Sequence, residues 1–237
     1  MNISILPLYI AFVFIFCVSI THRARINQFI NADEARSVYA LLLTLFVWTL
    51  VALVMGLRGD HLRLMQEIPW LWQAFVPVIV WSVHFLLSAS LRNALFKIAT
   101  NTPLQWLLFL QALRLGAIGG ILKGMQGTIS SDYVYWIGIP DFLFGLSALA
   151  MGLAAQRKEI NLSFVLTWNL LGFSLIFFPT FGIMGHWMSE PGFEFIFEFP
   201  MILAPSIVVP LFISMNLMHA WGLLAQERRE RAIKSMT

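Results

Sequence analysis

Charge is scarce in this chain of 237 residues: 11% are Asp, Glu, Lys or Arg, while 59% are hydrophobic and the mean hydropathy is +0.79. Soluble domains carry roughly 25% charged residues, so an ordinary soluble fold is excluded. Cysteine is nearly absent. Cys17 stands alone, which rules out an internal disulfide and a cysteine-rich metal site; a lone buried cysteine is a small apolar filler. Catalytic signatures are missing too: there is no Gly-x-Ser-x-Gly, no His-Glu-x-x-His, no phosphate-cradling glycine loop and no paired acidic motif of a membrane protease. The last apolar stretch has no lysine for a retinal Schiff base before its cytoplasmic tail. No catalytic residue, cofactor or metal is therefore expected.

What the chain has is apolar length. A hydrocarbon core about 30 Å thick needs about 20 apolar residues per helix, and seven such stretches occur: 4–21, 38–57, 70–90, 103–122, 135–155, 163–183 and 200–225. Little chain is left between them, so residues 1–237 are expected to form a single all-α transmembrane domain of seven helices. The first stretch has no basic leader and no small-residue cleavage site, and reads as a retained span. Alternate loops divide the Lys and Arg residues into eleven on one side (Arg23, Arg25, Arg36, Arg92, Lys97, Arg157, Lys158, Arg228, Arg229, Arg231, Lys234) and three on the other (Arg58, Arg63, Lys123). The richer side is cytoplasmic by the positive-inside rule, which puts the C-terminus inside and the N-terminus outside. A basic rim facing anionic lipid accounts for the net charge of +3, and no nucleic acid is needed to explain it.

Two charges lie where charge is costly. Arg114 falls within the fourth stretch and Asp141 within the fifth, and an ionised side chain near a bilayer centre costs roughly 2.5–3.5 kcal/mol on insertion scales. Measured from the outer ends of their helices they lie at about 12 and 9 Å depth. The two stretches are consecutive and closely linked, so the residues are expected to pair. Gly116 with Gly120, and Ala148 with Gly152, are small-xxx-small pairs expected to bring these two helices close. Gln111, one turn from Arg114, extends the polar face.

A second polar stripe, Gln73, Pro77, Trp81, His84, Ser88 and Arg92, recurs at three- and four-residue steps along the third stretch and predicts one helical face turned away from lipid. Asn169 and Asn216 lie at comparable depth in the cytoplasmic halves of the sixth and seventh stretches, where amide bonds between helices are the expected use. Between those stretches Glu190, Glu194 and Glu198 recur every four residues among phenylalanines, as in an interfacial amphipathic segment or an acidic vestibule. Pro205 and Pro210 predict a kink in the last helix.

The pieces Gln111-x-x-Arg114, Ile-Pro-Asp141 with Gly145, Trp168-Asn169-x-x-Gly172, and the prolines of Phe199-Pro200, Ala-Pro205 and Val-Pro210 stand in an order that resembles a group of uncharacterised small bacterial multi-span proteins. The resemblance covers the C-terminal half and implies an inner (cytoplasmic) membrane location. The chain departs from that group at Ser174, where an acid is usual, and at Asn216, where a histidine is usual; His219 stands nearby.

The reading expected from the sequence is binding or transport of a small anionic or polar solute through an interior containing Arg114, Asp141, His84, Gln73, Gln111, Asn169 and Asn216. The bilayer is the first partner, and a homo-oligomer or a membrane-protein partner is the next. A structural or assembly subunit of a larger membrane complex is the alternative, and a membrane redox or hydrolytic enzyme the third.

Overall fold

The computed structural model describes residues 6–67, 72–185 and 194–234, and among these every regular element is helical. α1 (Leu6–Ile26) and α2 (Ala32–Arg58) pack together. α2 opens on a capping box: the Asn31 side chain accepts from the Glu34 N–H at 2.9 Å, and the Glu34 carboxylate accepts from the Asn31 N–H at 2.8 Å. The other Glu34 oxygen accepts from Lys97 Nζ at 2.6 Å, which ties a later helix to this helix start. α2 ends at Gly59, whose φ of +71° lies in the left-handed region that glycine adopts without strain. The short α3 (Asp60–Glu67) follows.

The third apolar stretch is not one straight helix. α4 (Trp72–Leu87) stops at Ser88 and α5 (Ala89–Asn101) leaves at 103° to it. Local chemistry explains the break: Ser88 is extended and its Oγ caps α5 by accepting from the Leu91 N–H at 3.1 Å, while Arg92 Nη1 reaches back to the last α4 carbonyls, Phe85 O at 2.7 Å and Leu86 O at 2.8 Å. The expected stripe therefore ends at His84, and Ser88 and Arg92 are capping residues. Pro77 sits inside the unbroken α4. α5 lies against α1, α2 and the last helix, burying Leu91, Ala94, Leu95 and Ile98.

α6 (Leu104–Ala112) tightens into a 3-10 turn over Leu113–Ala117 and resumes as α7 (Ile118–Met125). α8 (Ser131–Tyr133) widens into a π turn over Val134–Gly138 and continues as α9 (Ile139–Ala155). α10 (Leu162–Gly185) follows, then a 3-10 turn (Glu194–Phe197), a second π turn (Ala204–Val208) and α11 (Val209–Lys234). Each π turn ends two residues before a proline, Pro140 or Pro210. The N–H of Ile139, before Pro140, bonds Val134 O, and that of Val209, before Pro210, bonds Ala204 O. A proline ring clashes with the carbonyl four residues back, and one extra residue in the turn moves that carbonyl aside. For Pro210 that carbonyl belongs to Ser206, and it accepts from Trp48 Nε1 at 2.8 Å. The prolines of the last helix are thus absorbed by a π turn at its start.

Among the described residues, six helical stretches are long and apolar enough to cross a membrane, or seven when the bent α4–α5 pair counts as one. The surface is apolar and the interior holds polar groups: Leu8, Leu43, Leu87 and Phe178 are exposed, while His61, Gln73, Arg114, Asn169 and Asn216 are buried. Such an inversion suits a lipid surround.

α6 and α9 are close neighbours because α9 presents small residues. A Cβ on Gly145 would stand 2.6 Å from Leu115 N and 2.9 Å from the Arg114 carbonyl carbon, and one on Gly152 would stand 2.6 Å from the Phe109 ring. Of the other expected pair, Gly120 faces Tyr133 at the start of the fifth span-length stretch, Ser131–Ala155, whereas Gly116 faces Tyr9 of α1 instead. Gly145→Ala is expected to lower stability by about 1–3 kcal/mol because backbone must move. Gly119→Ala, with nothing within 4 Å of its Cβ position, should be neutral or stabilising by up to ~1 kcal/mol. Denaturation of both variants in mild detergent checks the pair.

Candidate functional site

The site is assembled from α6, α9, α10 and α11 around one buried cation. Arg114 is 1% exposed and sits in the 3-10 turn that interrupts α6 and α7. Its Nε donates to Asp141 Oδ1 at 2.5 Å, and Nη1 and Nη2 donate to Gly172 O at 3.3 and 3.4 Å. The guanidinium lies over the Phe144 ring at 4.1 Å, and Phe144 in turn stacks on Trp168 at 4.1 Å and 15°. A desolvated cation–π contact contributes about 2 kcal/mol. Trp168 Nε1 donates to Ser147 Oγ, which donates to Phe144 O, so the lower ring is fixed to α9 at both ends. Gly172 has to be glycine here, because a Cβ would overlap the Phe144 ring. Tyr9 Oη donates to Leu113 O at 2.8 Å beside the cation.

One helical turn from this layer, toward the end of the bundle that carries Arg23, Arg157 and Lys158, lies a layer of amides. Gln111 precedes Arg114 by a turn, Asn169 precedes Gly172 by a turn, and Asn216 follows by a turn Phe212, whose ring lies 6.0 Å from the guanidinium. All three are buried, and Gln111 Oε1, Asn169 Oδ1 and both polar atoms of Asn216 have no protein partner among the described residues. Asn169 Nδ2 donates to Val165 O at 2.9 Å and to His219 Nδ1 at 3.2 Å. The Val165 carbonyl fixes the amide orientation, and an acceptor at Nδ1 leaves the His219 proton on Nε2. Each orphaned buried amide group costs about 1–3 kcal/mol unless something else bonds it.

The other expected residues lie elsewhere. Gln73 belongs to a separate buried cluster at the opposite end: its Nε2 donates to His61 Nδ1 at 3.2 Å, and His61 Nε2 donates to Ala52 O at 3.2 Å. Trp72 lies against both His61 and Trp48 there. His84 is half-buried and donates from Nδ1 to Val80 O on its own helix at 2.9 Å. Glu190 lies outside the described residues; Glu194 begins the single 3-10 turn that ends at Phe197, and Glu198 is exposed beyond it. Within that turn Ile196 and Phe197 are buried in the core.

Sequence reasoning missed Phe144, Tyr9 and His61, and named Gly172 only within the Trp168-Asn169-x-x-Gly172 piece, not as an acceptor for Arg114. The i+3 spacing of Asp141 and Phe144 was a usable signal for the first; a backbone acceptor such as Gly172 O gives none.

The architecture is that of a helical bundle with a buried ion pair between consecutive span-length helices. The model of the domain of unknown function DUF8737 matches residues 68–224, and the chain belongs to that family. No curated protein and no solved structure matches it. The matched region holds Arg114, Asp141, Phe144, Gly172, Phe212 and the three amides, and excludes α1, which supplies Tyr9, and α2.

Removing Asp141 alone leaves a buried guanidinium without its counter-charge. Asp141→Ala should therefore cost about 3–5 kcal/mol, and an apolar replacement of both partners, Arg114→Met with Asp141→Leu, should recover most of it; detergent unfolding of the single and double variants measures this. A second expectation concerns His61, which lies outside the span-length helices. Burial holds its imidazole below the ordinary histidine value. The unfolded chain then binds a proton below pH about 6.5 that the folded chain refuses, so stability should fall as pH drops through that value. His61→Gln should flatten the acid limb of a stability–pH curve.

Proposed function

We propose that this is a seven-span protein of the bacterial inner membrane, N-terminus outside and C-terminus cytoplasmic, which binds a small polar solute and moves it through the interior bounded by the Arg114 and amide layers. The observation that carries the reading is the set of buried amide atoms at Gln111, Asn169 and Asn216 without protein partners, one turn from a buried cation. A core selected only for stability would fill these positions with apolar side chains, since an unpaired buried amide is a net cost. Unpartnered buried donors and acceptors on three helices suit a solute carrying hydroxyl or amide groups.

Charge refines the solute class. Arg114 is neutralised by Asp141, and the remaining groups are amides and a neutral His219. An uncharged or zwitterionic solute enters such a site without importing net charge, which favours it over a simple anion. Asp141, with its side chain 24% exposed, is the member of the pair through which the site meets its surroundings. Arg114 then orients the solute and Asp141 serves as counter-charge or proton acceptor during a cycle. The rival reading, an assembly subunit, treats both layers as scaffold and predicts a stoichiometric protein partner surviving mild detergent.

Asn216→Leu separates the two. The substitution roughly conserves volume and removes an amide that no protein group satisfies, so it should leave stability unchanged or raise it by up to about 2 kcal/mol. Native mass spectrometry of protein released from mild detergent should then show a small molecule retained by wild type and lost, by tenfold or more, from the folded variant. Equal retention by both, or no small molecule on either, sinks the solute reading.

A further inference from the structure

A groove of about 400 Å³ runs along α1 to the junction of α5 and α6, outside the solute site and partly outside the matched family region. Its walls change character along their length. Toward the middle of α1 it is lined by Phe12 and Phe16; toward the basic end it is lined by Arg23, Asn27 and Asn101, with Trp106 on the facing wall. Arg23 lies over the Trp106 ring at 5.7 Å, and Phe16 lies 6.2 Å from the same ring. Arg23 is exposed, and among the described residues it has no carboxylate partner. The neighbouring Lys97, by contrast, is already paired with Glu34.

We propose that this groove is a binding site for one anionic phospholipid, with an acyl chain along Phe12 and Phe16 and the headgroup phosphate on Arg23 and Asn27, beside Asn101, whose amide N–H groups are held by Lys97 O and Thr100 Oγ1. Three features select that occupant. The groove is amphipathic along the direction of the spans, as a lipid is. Its one free cation, among the described residues, sits at the end of α1 where the chain leaves its span-length helix, at headgroup level. Arg23 and Trp106 form the cation–aromatic pair found at membrane interfaces, where the ring takes the glycerol and upper acyl region and the guanidinium the phosphate. A volume of this size lies within the usual range for small-molecule sites. The inference rests on the membrane-spanning reading and is independent of the solute site, since no residue is shared.

The test uses the full chain in mild detergent, delipidated and titrated with phosphatidylglycerol or phosphatidylcholine, with bound lipid counted by native mass spectrometry. Wild type should hold one phosphatidylglycerol more tightly than phosphatidylcholine. Arg23→Ala should weaken phosphatidylglycerol about fivefold, the loss expected for one basic residue near an anionic surface. Arg157→Ala, on the same rim but away from the groove, should bind as wild type, and inorganic phosphate should not displace the lipid. Trp106→Leu, which keeps the charge and removes the ring, should also weaken binding. Equal binding by wild type and Arg23→Ala overturns the proposal, as does an equal loss in Arg157→Ala, which would reduce it to general attraction of the rim. Retention of the solute by Arg23→Ala keeps failure here distinct from failure of the proposed function.

Discussion

A guanidinium ion buried at 1% exposure must be satisfied on several sides, and the way Arg114 is satisfied organises four helices. Asp141 on α9 supplies the counter-charge, Gly172 on α10 a backbone oxygen, Phe144 a ring face, and Phe212 on α11 a second ring at greater distance. Each of these places a demand on its own helix. Gly172 cannot carry a side chain because Phe144 occupies the space, and Gly145 cannot because the backbone around Arg114 does. The glycines and the cation are therefore one constraint: the helices approach closely enough to enclose the charge, and the charge gives them a reason to hold that register.

The same constraint explains where the helices depart from regularity. The 3-10 turn falls on Arg114 itself, and a π turn ends just before Pro140 and Asp141. Irregular backbone in a span is tolerated where it lies against protein or a polar interior, and here it sets the two charges facing each other. The π turn before Pro210 follows the same steric logic, with Trp48 satisfying the carbonyl that the proline displaces.

Much of this was legible in the sequence, and the rest was hidden for identifiable reasons. Hydropathy alone located the span-length helices, because apolar length is additive along the chain. The pairing of Arg114 with Asp141 followed from two costly charges on consecutive helices. The 103° turn at Ser88 was not legible, since serine at that position fits a polar stripe as well as a cap, and only the Arg92 contacts to Phe85 O and Leu86 O decide between them. Grouping Gln73 and His84 with Arg114 failed because polar residues of one helix face were assumed to share one interior; Gln73 instead bonds His61, which is buried against the end of α2. The four-residue recurrence of Glu194 and Glu198 gave no sign that Ile196 and Phe197 between them are buried in a single 3-10 turn.

The central claim is that the amide layer beside Arg114 exists to bond something other than protein. The most direct measurement is an experimental density map of the wild-type chain in a lipid nanodisc, at a resolution that shows ordered non-protein atoms. The account predicts density within hydrogen-bond distance of Asn216 and of at least one of Gln111 and Asn169, with Arg114 still on Asp141. Amides bonded to one another across α6, α10 and α11, with no density between them, would contradict it and leave the buried pair as scaffold.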